Sequence, residues 1–202
     1  MLSYKSAWHY TNREDDMAIQ IPHKRFTVDE YHRMAEVGIL SEDDRVELID
    51  GEIVEMSPIG KHHAACVKRL NALLTEILGR HAIVGVQDPV QLNDSSEPQP
   101  DITVLKFRAD YYEERPPTPA DTLLIIEVAD SSLDFDRLVK LPRYACGGVL
   151  EVWIVNLTAG VIEVYREPVA GEYRETEQAG RGDELKLPGV SGAQVRVEDV
   201  LG

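Results

Sequence analysis

Three charged residues follow or open apolar segments in a pattern that could support phosphodiester chemistry. Asp101 opens the apolar segment 101–105, Glu127 follows the apolar run 123–126, and Lys140 lies further along in a predicted helix. Two carboxylates placed by strands can hold a hard divalent cation through oxygen ligands. Such a cation activates a water molecule and neutralises charge on a phosphate. A lysine ammonium then orients that water or adds positive charge beside it.

The same residues also fit a purely structural interpretation. An aspartate that follows a proline is a common turn residue, and Glu127 could be the solvated end of a strand. The pattern therefore predicts a metal site made by Asp101 and Glu127 and leaves the structural alternative open. Lys140 is expected to point at this pair from an exposed or half-exposed helix position, where alanine would be tolerated.

Composition indicates one globular domain with a full-sized core. The chain has 202 residues, of which 43% are hydrophobic and 28% are charged. No apolar run approaches the roughly 20 residues of a membrane span, and the first residues lack the apolar segment of a signal peptide. The two cysteines, Cys66 and Cys146, do not make a disulfide framework. We therefore predict a reducing, cytoplasmic compartment and no membrane association.

The charge balance restricts how the chain could meet a nucleic acid. The net charge is −15, from 21 basic and 36 acidic residues. Non-specific binding to nucleic acid depends on basic residues that neutralise phosphates, and this balance opposes it. A nucleic-acid substrate would need help from a metal or a partner, or a local basic surface beside the site. The residues expected in that surface are Lys68, Arg69, Arg137, Lys140 and Arg143.

The beginning of the chain divides into an arm and the start of the domain. Residues 1–22 are polar and mixed, and they predict a flexible N-terminal arm before a domain at 23–202. Thr27 and Glu30 have the spacing of a capping box at a helix start.

A hairpin follows, with strands at 45–49 and 52–56 around Asp50-Gly51, a dipeptide that favours a type I′ turn. In its first strand Glu47 shares a face with the apolar Ile49. Imperfect alternation at an edge strand explains this as readily as a site residue does.

The remaining pattern predicts helices and strands in alternation. A helix from His62 or His63 to Leu78 carries a core stripe, and a helix over 134–145 should be kinked by Pro142. Elements in this order favour a mixed sheet flanked by helices, an α/β layered domain. The further strands are predicted at 81–86, 90–92, 101–105, 123–127, 151–155, 161–165 and, more weakly, 172–175 and 195–197.

Several ordered motifs resemble one known family. They are Val46-Glu-Leu-Ile-Asp-Gly-Glu52, Met56-Ser-Pro-Ile-Gly60 with His63, Pro100-Asp101, Ile126-Glu-Val128 with Ser131-Ser132, Lys140-Leu-Pro-Arg-Tyr-Ala145 and Glu151-Val-Trp-Ile-Val155. Together they resemble the Uma-two family of bacterial endonucleases, within the restriction-endonuclease-like superfamily named for its Pro-Asp and Asp/Glu-X-Lys motifs. The resemblance extends over about residues 24–201. It implies an α/β (α+β) fold with a restriction-endonuclease-like mixed β-sheet core flanked by helices.

The resemblance also implies a site. Asp101 matches the Pro-Asp carboxylate and Glu127 the next acidic residue, and both are implied ligands of magnesium, with manganese as the alternative ion. The lysine expected two residues later is replaced by Ala129, and Lys140 matches the basic role from the helix. Glu47 and His63 match further family positions near the site, with His62 as the alternative to His63.

Two classes of function follow from this resemblance. The first is a metal-dependent endonuclease that acts on nucleic acid, most plausibly DNA, as a homodimer that cuts both strands. The second is a catalytically weak or inactive nuclease fold that serves as a binding or regulatory module. The three matched residues Asp101, Glu127 and Lys140 favour the first class, and the acidic balance favours the second.

Overall fold

A six-stranded mixed sheet forms the centre of the protein in a computed structural model, which describes residues 23–41 and 43–202. The strand order is β3-β4-β5-β6-β7-β8, with β5 and β6 parallel and the other neighbours antiparallel. The arm predicted at 1–22 lies outside the described residues. The strands of this sheet are β3 Ala82–Val86, β4 Ile102–Lys106, β5 Thr122–Ala129, β6 Glu151–Asn156, β7 Val161–Val169 and β8 Glu172–Ala179.

Helices and two small hairpins surround this sheet. The first hairpin, β1 and β2, precedes it, and the second, β9 and β10, follows it. In the described residues no helix is both long and apolar enough to cross a membrane. The surrounding elements are α1 Val28–Glu36, β1 Val46–Ile49, β2 Glu52–Glu55, α2 Lys61–Leu78, α3 Leu133–Phe135, α4 Leu141–Gly147, β9 Glu184–Lys186, β10 Gln194–Arg196 and α5 Val197–Leu201.

Both faces of the sheet are covered, which explains the nearly continuous apolar sequence of β5. Ile126 and its neighbours on one face pack against α2, whose buried residues include Leu70 and Leu74. On the opposite face Ile125 packs against Tyr144 of α4. Because side chains alternate along a strand, Glu127 lies on the α4 side, and it lies within β5 rather than at its solvated end.

The first hairpin forms as its sequence predicts. Asp50 and Gly51 both have positive φ, 50° and 76°, which is the geometry of a type I′ turn. The Arg143 guanidinium of α4 holds the Asp50 carboxylate through two hydrogen bonds of 2.9 and 2.7 Å. The capping box of Thr27 and Glu30 is also present at the start of α1.

The helical stretch after β5 departs from the uniform helix predicted at 134–145. Asp136–Lys140 forms a π-helical turn between α3 and α4, in which the Leu141 N–H bonds to the Asp136 carbonyl five residues back. Pro142 has no N–H to give the carbonyl four residues before it, and its ring crowds that carbonyl. The preceding turn is therefore wider, and the expected disturbance near Pro142 takes the form of a π turn.

The strand predicted at 90–92 is not present. Val90 and Leu92 instead bond through their N–H groups to the carbonyls of Pro98 and Ser96, at 3.0 and 2.9 Å. These two bonds close a loop between residues 90 and 98, and its segment 93–96 is rich in turn residues. The loop ends at Asp101, directly before β4.

We expect Gly51→Ala to destabilise the protein more than Gly38→Ala. Both glycines have a similar positive φ, 76° and 74°, so both alanines meet the left-handed backbone penalty of about 1–2 kcal/mol. A Cβ at Gly51 would also lie 2.8 Å from Cβ of Arg25, whereas nothing lies within 4 Å at Gly38. This crowding adds about 1–3 kcal/mol. Urea unfolding of both variants measures the difference, and equal losses would contradict the packing argument.

Candidate active site

The residues singled out from the sequence line one recess of about 340 Å³. Its walls come from the first hairpin, the start of α2, the loop before β4, the end of β5 and the helical stretch after it. Acidic side chains dominate the lining, and they face three basic ones, Arg45, His63 and Lys140. The acidic residues are Glu47, Glu55, Asp101, Glu127, Asp130 and Asp136.

Glu127 is buried at the centre of this arrangement. The Tyr144 hydroxyl donates to its Oε1 at 2.5 Å, and the Lys140 ammonium lies 3.2 Å from the same atom. The backbone N–H of Asp101 approaches its Oε2 at 3.4 Å. Burial raises the pKa of the Glu127 carboxyl to about 8, against the opposing positive charge of Lys140.

Lys140 joins two strands that belong to different sheets. Its Nζ lies 3.1 Å from Glu47 Oε2 of β1 and 3.2 Å from Glu127 Oε1 of β5. Burial by itself lowers the pKa of a lysine, but the charges of Glu127 and Glu47 outweigh burial here and raise it. Lys140 is therefore held as an ammonium, and its side chain is only 6% exposed. The expectation of an exposed or half-exposed lysine is wrong, because both partners are themselves buried.

Glu47 lies on an edge strand, since β1 pairs only with β2 in its sheet among the described residues, but its side chain is buried, with 2% exposure. Its Oε2 accepts a hydrogen bond from the backbone N–H of Gln99 at 3.0 Å, in addition to the Lys140 contact. Gln99 precedes Pro100-Asp101, so this bond ties the hairpin to the loop that carries Asp101.

Asp101 has a different set of partners. Its Oδ2 accepts from the Val128 N–H and contacts His63 Nε2, both at 2.9 Å, and its Oδ1 accepts from the Gln87 amide at 3.2 Å. Burial raises the pKa of Asp101, but the bond and charge of His63, with the Val128 and Gln87 bonds, bring it below its usual value. Asp101 is thus ionised while the neighbouring Glu127 tends to hold a proton.

His63 rather than His62 reaches the site. The bond to Asp101 is the largest cause that raises the pKa of His63. Because an ionised Asp101 can only accept, the His63 Nε2–H is the donor in this bond. The buried Nδ1 has no hydrogen-bond partner among the described residues. His62 is exposed and lines a separate recess beside Arg69.

Sequence reasoning missed several polar residues in and beside this site, among them Asp136, Gln87 and Gln99. Asp136 lines the recess with its Oδ2 bound by the Ser132 hydroxyl at 2.7 Å, and burial raises its pKa. The Gln87 side-chain amide donates to Asp101, and the Gln99 backbone N–H donates to the Glu47 carboxylate. The helical spacing of Asp136 and Lys140, four residues apart, was a usable signal, whereas the contact of Gln87 with Asp101 depends on the fold.

The expected basic surface beside the recess does not form from the five residues proposed for it. Lys140 is buried, Arg137 pairs with Glu163 on β7, and Arg143 pairs with Asp50. Arg69 donates to the carbonyls of Val200 and Leu201, and only Lys68 is left exposed without a recorded partner. Internal carboxylates and carbonyls take up these cations, so the prediction is wrong in this part.

The donor chemistry of the recess fits a hard divalent cation. Carboxylate oxygens of Asp101 and Glu127 are the ligand type that magnesium and manganese accept, and the low pKa of Asp101 keeps it in the ligating form. Within the described ranges no group of three or more His, Cys, Asp or Glu is already arranged around a single ion position. Glu127 is occupied by Lys140 and Tyr144, so its oxygens are not preset for a metal.

The mixed sheet with helices on both sides is also found in a solved structure. The protein described as "a putative nuclease belonging to DUF820 from Anabaena variabilis ATCC 29413" has the same fold, with a TM-score of 0.68 and 18% identity over 87% of this chain and 97% of that chain. At this identity the likeness shows the fold alone.

The family is shown by sequence. The Uma2 family profile, described as "Putative restriction endonuclease", matches residues 28–198, and the chain belongs to this family. No curated protein matches the sequence. Family and fold together indicate a restriction-endonuclease-like nuclease.

We expect Lys140→Ala to destabilise the fold strongly, since it leaves Glu47 and Glu127 buried without their shared cation. Breaking a buried ion pair from one side costs about 3–5 kcal/mol. Lys68→Ala, at an exposed position of α2, should change the free energy of unfolding by less than about 0.5 kcal/mol. Urea unfolding of the two variants makes the comparison. A loss for Lys140→Ala as small as that for Lys68→Ala would show that the buried contacts do not form.

We also expect the protein to lose stability as pH rises from about 4.5 to about 8, the ordinary and folded-state pKa values of Glu127. In this window the folded protein holds a proton that the unfolded chain releases, so rising pH favours unfolding. The raised pKa values of Asp136 and His63 act in the same direction.

Urea unfolding across this pH range measures the slope. Glu127→Gln should make the slope shallower, because the proton no longer dissociates there, whereas Glu175→Gln on the exposed β8 should leave it unchanged. A slope that Glu127→Gln does not alter would contradict the raised pKa.

Proposed function

We propose that this protein is a metal-dependent endonuclease that hydrolyses phosphodiester bonds in DNA. The observation that carries the proposal is the meeting of Asp101, Glu127 and Lys140 in one recess of a nuclease-family chain. The Lys140 ammonium lies 3.2 Å from Glu127 Oε1, and Asp101 Oδ2 accepts from the Val128 N–H, next to Glu127, at 2.9 Å. Two acids and one amine from three separate elements thus line one recess, which suits phosphoryl chemistry.

Asp101 and Glu127 would hold the cation, which we propose to be magnesium with manganese as a substitute. When bound, such an ion supplies Lewis acidity to a phosphate oxygen and lowers the pKa of a water. A carboxylate binds metal in its ionised form, so metal binding at Glu127 is coupled to loss of the proton that burial favours. We therefore expect metal affinity to rise with pH.

Lys140 would supply fixed positive charge next to the reacting phosphate. Glu47 positions it, because Glu47 Oε2 lies 3.1 Å from the ammonium and is itself held by the Gln99 N–H. A positioned charge in a water-poor site stabilises a developing negative charge without having to reorganise. His63 is held by Asp101, and we propose that it contacts the phosphate or transfers a proton there.

The cellular setting of the proposal is a cytoplasmic homodimer. Duplex cleavage needs two cuts on opposite strands, and a twofold dimer presents one site to each strand. The free thiols of Cys66 and Cys146 fit a reducing compartment.

The acidic lining of the recess favours a second candidate, a nuclease-fold module that binds a partner without cleaving. Six acidic residues face three basic ones there, and two of these, Lys140 and His63, already contact carboxylates. A phosphate meets repulsion in such a recess unless a cation masks the carboxylates.

Cleavage assays separate the two candidates. Purified protein is incubated with single- and double-stranded DNA and RNA in magnesium, manganese or chelator. We expect cleavage of DNA with magnesium or manganese only. Asp101→Asn should lower the rate at least about a hundredfold, because several kcal/mol of transition-state stabilisation depend on the metal.

Asp199→Asn is the matched control, since Asp199 is exposed on the short helix α5, away from the recess. It should cleave like the unsubstituted protein. Cleavage that survives both Asp101→Asn and chelator would overturn the proposal, and the absence of any cleavage would favour the binding module.

A further inference from the structure

We propose that Arg45 binds a phosphate of the substrate strand adjacent to the one that is cleaved, and that a second recess beyond Arg45 receives the attached nucleotide. This inference rests on the proposed function and extends it by assigning a path for the strand. The second recess, called here the nucleotide recess, is lined by residues that include Tyr31, His32, Gln87 and Gln99.

The nucleotide recess adjoins the recess that contains Asp101, Glu127 and Lys140, called here the catalytic recess. Its volume is about 460 Å³, against about 340 Å³ for the catalytic recess. Arg45, Met56 and Gln99 line both. Gln87 lies in the nucleotide recess, yet its amide donates to Asp101 Oδ1 at 3.2 Å. A nucleic-acid strand bound at Asp101 can therefore continue along the surface into the nucleotide recess.

The hairpin directs Arg45 to this boundary. Arg45 directly precedes β1, and both Arg45 and Glu47 line the catalytic recess. Glu47 is buried in the catalytic recess, whereas Arg45 is exposed at its mouth. The backbone at this point is fixed, because the Met56 N–H donates to the Arg45 carbonyl at 2.8 Å.

Arg45 differs from the other cations near the site in having its guanidinium available. Lys140 contacts two carboxylates, and Arg143 is held by Asp50. No carboxylate of the described residues forms an ion pair with Arg45. The nearby Asp44 carboxylate is instead occupied by the backbone N–H and hydroxyl of Ser41, at 2.7 and 3.0 Å.

A free guanidinium at the mouth of an acidic recess suits a phosphodiester. The planar fork binds two phosphate oxygens at once, which a lysine cannot do. Within the described lining of the catalytic recess, the other basic groups, Lys140 and His63, are engaged with carboxylates. Among the basic residues of this described lining, Arg45 is therefore the one available to a nucleic-acid strand.

The chemistry of the nucleotide recess suits a base. The rings of Tyr31 and His32 lie 6.0 Å apart at their centroids, tilted by 43°, and Met56 adds a polarisable thioether. The side-chain amides of Gln87 and Gln99 donate to Asp101 Oδ1 and to the Val46 carbonyl, and their carbonyl oxygens can accept from base edges. Single-stranded nucleic acid is recognised by this combination of flat ring surfaces and amide groups beside a cation.

The first test measures binding of a fluorescein-labelled octathymidylate, with calcium in place of magnesium. Arg45→Ala should weaken binding about tenfold to a hundredfold, the effect of losing one charge-assisted contact. The slope of log affinity against log salt should become shallower by about 0.7, the value for one phosphate contact on a single strand. Arg45→Lys should restore only part of the affinity, because it keeps the charge and loses the fork.

Arg174→Ala is the matched control. Arg174 is exposed on β8, at the far edge of the sheet from β4 and β5, and no partner for it is recorded among the described residues. Equal affinity of Arg45→Ala and Arg174→Ala for the oligonucleotide would overturn the assignment of Arg45. In cleavage, Arg45→Ala should raise KM more than it lowers kcat, since the contact binds the strand outside the reacting group.

The second test fills the nucleotide recess. Ala35 is exposed on α1 and lines this recess, so Ala35→Trp should weaken octathymidylate binding at least about threefold by occupying the space of a base. Val37→Trp, two residues on and outside the lining, is the control. An octamer made entirely of abasic residues should bind Ala35→Trp and Val37→Trp equally. If Ala35→Trp binds the thymidylate as well as Val37→Trp does, no base enters the recess.

The outcomes separate this inference from the function on which it rests. If the unsubstituted protein neither binds nor cleaves any nucleic acid, the proposed function and the inference both fail. If it cleaves but Arg45→Ala matches Arg174→Ala in binding and KM, only the inference fails. If it binds nucleic acid without cleaving it and Arg45→Ala loses that binding, the role of Arg45 in binding the nucleic acid is supported and the proposed endonuclease activity fails.

Discussion

The contact of the Lys140 ammonium with Glu47 and Glu127 holds the site together. The lysine comes from the π-helical turn, and its two partners come from the first hairpin and the central sheet. Without the cation, the buried Glu47 carboxylate and the buried Glu127 carboxyl group would lose the partner that they share. The lysine thus links the first hairpin to the central sheet at the bottom of the recess. Tyr144 adds a hydrogen bond to Glu127 at the same place.

The electrostatics of the site follow from burial and from the donors that each acid has. Asp101 has several donors and stays ionised, whereas burial makes Glu127 tend to keep a proton despite its contact with Lys140. Two neighbouring acids thus have pKa values displaced in opposite directions by their surroundings, which is typical of sites that move protons. Because carboxyl groups surround Lys140, its charge acts only at short range on a phosphate already in the recess, and attraction of a phosphate from solvent depends on the rim or on a bound ion.

Local features of the structure could be predicted from the sequence, because their causes are local. Thr27 and Glu30 cap a helix through their own backbone donors, and Asp50-Gly51 sets the hairpin turn through its positive φ angles. Strand and helix periods put Asp101 at the start of a strand and Lys140 in a helix, and the structure has Asp101 directly before β4 and Lys140 in the π-helical turn. Features that depend on distant partners could not be predicted. Burial of Lys140 depends on Glu47, which lies 93 residues earlier, and this pairing leaves no periodic signal. The ion pair of Arg137 with Glu163 also joins residues that are distant in sequence, and it occupies one of the cations expected in the basic surface.

The π-helical turn gives the helix one residue more than a regular turn would hold. In an α-helix each residue advances the direction of a side chain by about 100°, so removal of one residue would rotate everything after the turn relative to what precedes it. Leu138, within the turn, has 71% of its surface exposed and adds little to the core. The extra residue of the π-helical turn therefore sets the angle about the helix axis between the side chains of Asp136 and Tyr144. A relative that lacks it could keep the same site only by carrying its lysine one position nearer to the strand.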